Sequence, residues 1–225
     1  TLALVGDDEA LFPRAVLDRL VTVGATVLYA VPSALLEVLG AAGSAGPALP
    51  ALRLLLLAGE AFPTARLDGI RAAAPNAALH NLYGPIESNV VAHFAVPPDW
   101  PAGTPVPIGL PASGADLALL GDAGALVAGP GSGELLISGP SLFAGYLQTA
   151  MPPPDPFLTV AGRRWYRTFD LAARGSEGIH HFRGRTDRRL KSRGFLVEPA
   201  EVEHALNSHP EVGSAVVVVT ETDAG

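Results

Sequence analysis

The run Leu52-Arg53-Leu54-Leu55-Leu56-Leu57-Ala58 constrains this chain more than any other stretch. It is what a parallel strand buried on both faces looks like, and Gly59-Glu60-Ala61-Phe62-Pro63 breaks it. The flanking segments supply the rest of such a sheet. Thr1 to Val5 reads as a short buried strand. Pro13 to Val23 reads as a helix with proline at its start and Val16, Leu17 and Leu20 on one face. Thr26 to Val31 is strand-like, and Ser33 is the expected N-cap of a helix over Ala34 to Leu39. Thr64 can cap a helix that turns Leu67 and Ile70 inward and ends at Pro75. Ala77 to Leu82 is the next strand. Strand, helix, strand, helix, strand in this order predicts an α/β fold with a parallel sheet and right-handed crossovers.

The last of these strands runs into Asn81-Leu82-Tyr83-Gly84-Pro85-Ile86-Glu87-Ser88. Gly84 can take a backbone angle closed to other residues, and Pro85 fixes its own φ and lacks an N–H. The turn would hold an aromatic face and a carboxylate close together at a strand end, where ligands bind in open α/β sheets. An aromatic face can stack a flat base, and a carboxylate can hold Mg2+. The same residues also suit an ordinary turn with a surface glutamate.

Beyond Pro97 the texture changes. Prolines and glycines punctuate short strands at Ala115 to Leu120, Gly133 to Ser138 and Gly178 to Arg183, which predicts an antiparallel, barrel-like unit. Pro152-Pro153-Pro154-Asp155-Pro156 reads as an extended connection. A third change begins near Gly184, followed by a helix over Pro199 to Asn207 and a strand over Gly213 to Thr220. The expected organisation is therefore a partial parallel α/β subdomain over 1–96, a small β-barrel-like subdomain over 97–186, and the start of a small α+β C-terminal subdomain over 187–225.

Composition removes several function classes. The chain has no cysteine, so disulfides, thiolate catalysis and cysteine metal sites are excluded, and a reducing, cytoplasmic setting is compatible. A net charge of −7 argues against a general nucleic-acid surface. One basic run departs from it: Arg183, Arg185, Arg188, Arg189, Lys191 and Arg193. Although mean hydropathy is +0.32, the long charge-free stretch from Leu135 to Pro154 is broken by glycines and four prolines, so no membrane span is predicted. The six histidines show no metal spacing.

Six motifs now fall in a fixed order: Gly59-Glu60-Ala61; Asn81 to Glu87; Gly133 to Gly139 with Gly145-Tyr146; Trp165-Tyr166-Arg167-Thr168-Phe169-Asp170-Leu171; Gly184-Arg185-Thr186-Asp187; and Lys191-Ser192-Arg193-Gly194 with Glu198 to Glu203. Together they resemble the adenylation domain of nonribosomal peptide synthetases, within the adenylate-forming enzyme superfamily. The resemblance implies activation of an amino acid with ATP and Mg2+ to an aminoacyl-adenylate. Transfer to the phosphopantetheine thiol of a peptidyl carrier protein would follow. It implies that Tyr83 stacks on adenine, with Asn81, Gly84, Ile86 and Phe182 also at the nucleotide. Asp170 would accept the ribose hydroxyls, Arg185 would contact the ribose-phosphate side, Glu87 would bind Mg2+, and Asp187 would be the hinge of the C-terminal part. No catalytic residue is assigned.

The resemblance also implies that Tyr29, Leu56, Ala58, Leu82, Val90 and Val91 wall the acyl pocket. The set is apolar and of modest volume, and it holds no counter-charge for a charged side chain, whose unpaired burial is costly. A small aliphatic or cyclic amino acid is expected. With Phe62-Pro63 and His80 to Tyr83, the set resembles stand-alone enzymes that load L-proline onto a carrier protein. These are also residue types that would line an ordinary core.

The family's phosphate loop, its ammonium-binding aspartate and its C-terminal lysine are expected outside Thr1 to Gly225, so the chain is expected to be a piece that does not adenylate alone. Two positions depart from the motifs. Ile86 stands where the family has threonine, and Phe169 where it has glycine, with a ring that could displace Asp170. They leave open a second reading, a non-catalytic adenylation-like scaffold of a megasynthase.

Overall fold

The computed structural model describes residues 2–42, 48–112, 114–147, 156–186, 190–192, 195–197, 199–207, 209, 212 and 215–218. The chain opens with a short helix α1 (Asp7–Ala10) and the amphipathic α2 (Pro13–Thr22), in which Leu17 is buried and Val16 and Leu20 pack against the same core. Of the strand expected over Thr1 to Val5, residues 2–5 are described and form none. Leu2 and Leu4 are exposed, because no described strand offers the ladder of hydrogen bonds that would hold that segment extended.

Strands β1 (Val27–Ala30), β2 (Leu54–Leu57), β3 (Ala78–Tyr83), β4 (Ala92–Val96) and β5 (Leu110–Pro111) make one sheet in that order. The first three are parallel, as the strand–helix alternation predicts, and β4 and β5 return antiparallel. Helix α3 (Pro32–Gly40) begins with proline in its first turn and with Val31, not Ser33, at the cap position. Ser33 instead donates from its hydroxyl and its backbone N–H to the Glu60 carboxylate, both at 2.9 Å. That contact ties the turn after β2 to the helix. A 3-10 turn at Thr64–Arg66 leads into α4 (Leu67–Ala73), which turns Leu67 and Ile70 inward.

Helices α2, α3 and α4 share a single core with Leu55, Leu57, Leu79 and Val96. The expectation of burial on both faces of β2 is met on that face only. Leu54 and Leu56 are half-buried, and Val27 and Tyr29 beside them are exposed, because no described element packs over them.

The second sheet is antiparallel throughout. It comprises β6 (Asp116–Leu120), β7 (Gly131–Ser138), β8 (Phe157–Val160), β9 (Arg163–Arg174) and β10 (His180–Arg185), ordered β10-β9-β7-β6 with β8 on β9. A small hairpin, β11 (Leu190–Ser192) and β12 (Phe195–Val197), precedes α5 (Pro199–Asn207), whose bounds match the sequence reading. Of the strand expected over Gly213 to Thr220, residues 215–218 are described and are not in a strand; the Val217 N–H donates to Glu203 Oε1 at 2.9 Å, and Val216 and Val218 are exposed.

A second core joins the two sheets. Tyr83, Val91, Ala92 and Ile108 pack against Ala115, Leu117, Leu119, Leu135, Ile137 and Ala172. Gly109 is bridged to His180 across the same seam, with φ at +97° and the site of an added Cβ only 1.9 Å from the His93 carbonyl oxygen. This seam is what brings residues far apart in sequence to one place.

Candidate functional site at the seam between the sheets

Tyr83 ends β3 and Asp170 lies within β9. Their meeting is the centre of the site. The Tyr83 hydroxyl donates to Asp170 Oδ2, and the Arg185 guanidinium donates to Asp170 Oδ1. Asp170 and Arg185 side chains are only 5% and 15% exposed, so this is a largely desolvated ion pair. Burial, and then the Asp170 carboxylate, pushes the Tyr83 phenol well above its ordinary range. It therefore remains a donor at neutral pH.

The backbone under Asp170 is shaped by two irregularities. The β9 register shifts against β7 between Glu134 and Leu136, and against β10 between Phe182 and Gly184. At the resulting bulge Phe169 takes φ +60°, a left-handed conformation that is uncommon for a bulky residue. Several contacts hold it. The Phe169 N–H donates to Glu134 Oε1 at 3.2 Å, and its carbonyl accepts from the Thr186 N–H at 2.8 Å. Thr168 Oγ1 accepts from the Asp170 N–H at 3.0 Å and donates to the Leu135 carbonyl at 2.7 Å. The Phe169 ring does not displace Asp170. It lies beside the Arg167 guanidinium, 5.1 Å from ring centroid to Cζ, while Asp170 stays on Tyr83 and Arg185. Arg167 is itself anchored on buried Glu134, with its closest hydrogen bond at 2.6 Å.

Gly84 is required for space and not for its dihedral angle. Its φ lies outside the left-handed region, yet a Cβ there would fall 1.6 Å from the Asn89 carbonyl oxygen. The turn folds so tightly that the Val91 N–H donates to the Tyr83 carbonyl at 2.8 Å. Ile86 sits at the outside of this turn, 95% exposed. Glu87 faces inward by comparison, and its carboxylate accepts from the Tyr146 hydroxyl at 2.6 Å. Buried Asn81 donates to the Pro107 carbonyl at 2.8 Å. Phe182 on β10 is half-exposed.

The pocket residues divide. Tyr29, Leu56 and His80 are in register across β1, β2 and β3, and Leu82 lies two residues on from His80 along β3. They occupy the sheet face opposite the helices. Ala58 is buried just beyond β2, Val90 is partly buried, and Val91 is fully buried in the seam core. Asp187 lies outside the described residues.

Sequence reading assigned no role to Glu134, Thr168, Tyr146 or Tyr166. All four stand inside motifs it quoted, so the available signal was membership of a motif, without a partner to give it meaning.

A family model described as AMP-binding enzyme matches residues 1–147. An L-proline--[L-prolyl-carrier protein] ligase of Streptomyces coelicolor is 40% identical over 86% of this chain and 36% of its own length. A protein of the same name from Pseudomonas fluorescens is 36% identical over 97% of this chain and 42% of its own. The chain thus spans only 36% and 42% of these curated relatives. Among solved structures, the crystal structure of IdnL1 superposes with a TM-score of 0.83 at 31% identity, covering 95% of this chain and 46% of that one. PA1221, a nonribosomal peptide synthetase protein containing adenylation and peptidyl carrier domains, gives 0.81 at 26% identity over 94% and 43%. The six ordered motifs, the parallel sheet seamed to an antiparallel one and the match over residues 1–147 agree: this chain belongs to the AMP-binding enzyme family.

Proposed function

We propose that the chain is part of an enzyme that activates a small apolar or cyclic amino acid with ATP and loads it onto the phosphopantetheine thiol of a carrier protein. The observation that carries this reading is the convergence of Tyr83, Asp170 and Arg185 at the sheet seam, with Glu87 at the turn beside them. Asp170 is the acceptor for the ribose hydroxyls, since a carboxylate offers two oxygens to a diol. Arg185 serves the ribose-phosphate side. Asn81, Tyr83, Gly84 and Phe182 border the nucleotide.

Glu87 fits a hard cation. It presents one carboxylate, and among the described residues no group of three or more His, Cys, Asp or Glu could cage a metal. Mg2+ is usually held by one or two carboxylates together with waters and substrate phosphates. When bound, it would neutralise charge on the phosphates during attack on the α-phosphorus. The chain's own residues bind and orient: Asp170 fixes the sugar, and Arg185 offsets the negative charge that develops.

The open face of the first sheet supports the acyl assignment: Tyr29 and Leu56 are in register there, Leu82 lies one strand over and two residues further along, Ala58 follows β2, and Val90 and Val91 lead into β4. L-proline is the substrate to try first, because two relatives carry that name. The three-part division at 1–96, 97–186 and 187–225, with Asp187 as hinge, belongs to the same proposal. No described helix is long and apolar enough to cross a membrane. ATP–pyrophosphate exchange by the intact enzyme across a panel of amino acids tests the reading. L-proline-dependent exchange that D170N abolishes is expected, and no exchange with any amino acid would overturn it.

A further inference from the structure

We propose that Tyr146 is a positioning residue for the Glu87 carboxylate, setting the orientation in which that carboxylate meets its cation; the inference rests on the assignment of Glu87 proposed above. The Tyr146 hydroxyl reaches Glu87 Oε1 at 2.6 Å across 59 residues of sequence. The same segment grips Glu87 a second time, through the Phe143 N–H on the Glu87 carbonyl at 2.8 Å. One stretch of chain therefore holds both the backbone and the side chain of the glutamate.

The tyrosine is itself held. Its ring packs edge-on against Phe143, with centroids 4.8 Å apart, and Phe143 packs on Phe157 and Tyr166 at 5.4 and 5.8 Å. Tyr166 also packs on Phe157, with centroids 5.8 Å apart. An aromatic cluster anchored on β8 and β9 of the second sheet thus presents a phenol to a carboxylate on a turn of the first. Tyr146 is 46% exposed, so space-filling alone does not account for its placement.

The physical benefit is pre-organisation. A glutamate on a turn has three side-chain torsions to immobilise when it takes a cation, and each long polar side chain loses appreciable rotamer entropy. A donor on Oε1 restrains those torsions beforehand and leaves the carboxylate able to ligate a cation through a single oxygen. That mode suits a cation that keeps most of its ligands as water and phosphate. Outer-shell partners of metal ligands act in this way, and their loss typically costs about 10–100-fold in metal affinity.

The test uses the intact enzyme with a non-hydrolysable ATP analogue, reading Mn2+ binding by electron paramagnetic resonance. Y146F should weaken Mn2+ binding about tenfold, with the melting temperature unchanged because a half-exposed ring loses only its hydroxyl. In an E87Q background the same substitution should add nothing, since Tyr146 acts through Glu87. Weakened binding by E87Q with undiminished binding by Y146F would overturn the inference and leave the Glu87 assignment standing. Undiminished binding by E87Q would overturn both. An equal loss on Y146F in the presence and absence of Glu87 would also overturn the positioning role.

Discussion

Replacing Asp170 by asparagine removes one charge from the seam while leaving its shape in place. The amide can still accept one hydrogen bond and offer another, and the Tyr83 hydroxyl can reorient to meet it. Arg185 cannot adapt, since its guanidinium only donates and is only 15% exposed. Breaking a buried pair from one side costs about 3–5 kcal/mol because the remaining charge is uncompensated. Partial access of water to Arg185 places the expectation at the low end, about 3 kcal/mol. For a chain of this size each kcal/mol lowers the melting temperature by roughly 2–4 °C, so D170N should melt about 6–12 °C below the parent. Differential scanning calorimetry reads this directly. D170N/R185M is the informative partner, because it removes both charges of the desolvated pair together, and an apolar replacement of a buried pair is often neutral or better. The double variant should recover most of the loss. A D170N melting point within about 1 °C of the parent, or a double variant no more stable than D170N, would refute the claim that desolvated charge dominates this contact.

Three other outcomes are expected. Gly84→Ala places a Cβ 1.6 Å from the Asn89 carbonyl oxygen, so the turn must open; a loss of about 3 kcal/mol by thermal denaturation is expected, as for severe overpacking. Ile86→Thr changes a side chain that is 95% exposed, so stability should hold within about 0.5 kcal/mol. A threonine hydroxyl can donate to a phosphate where isoleucine cannot, so pyrophosphate exchange by the intact enzyme should rise about tenfold, and no change would remove any impairment by Ile86. His180 is 2% exposed, and among the described residues neither ring nitrogen has a hydrogen-bond partner. Burial lowers its folded pKa below the ordinary 6.5, so the unfolded chain takes up a proton that the native state refuses. Stability is then unaffected above that value and falls as pH drops below it, by up to about 1.4 kcal/mol per pH unit. His180→Leu should add about 1 kcal/mol at pH 7. Calorimetry between pH 7 and 5 should also show a shallower fall, the remainder reflecting His80 and His181, whose pKa values are lowered in the same direction.

Much of the local structure was legible in the chain itself. Helix α2 could be located because Val16, Leu17 and Leu20 repeat at helical spacing behind a proline, and α5 because Val202, Ala205 and Leu206 do the same. Strands β2 and β3 were visible as apolar runs ended by glycine and proline. Capping was harder to read. Ser33 has the chemistry of an N-cap, but Pro32 starts the helix earlier and Glu60 takes the serine from another element. Strand β9 was recognisable only as a motif, because its polar and bulky residues follow no simple alternation across the bulge at Phe169.

The sequence alone determined the α/β beginning, the antiparallel second half and the family motifs with their order, since periodicity, turn residues and spacing are properties of a linear string. Tertiary structure decided what those motifs do to one another. Asp170 lies 87 residues from Tyr83 and Tyr146 lies 59 from Glu87, separations at which no local rule operates. Only the packing of one sheet against the other, through Tyr83, Val91, Leu119 and Ile137, removes water from that seam. In its absence a carboxylate, a phenol and a guanidinium are held as one hydrogen-bonded cluster.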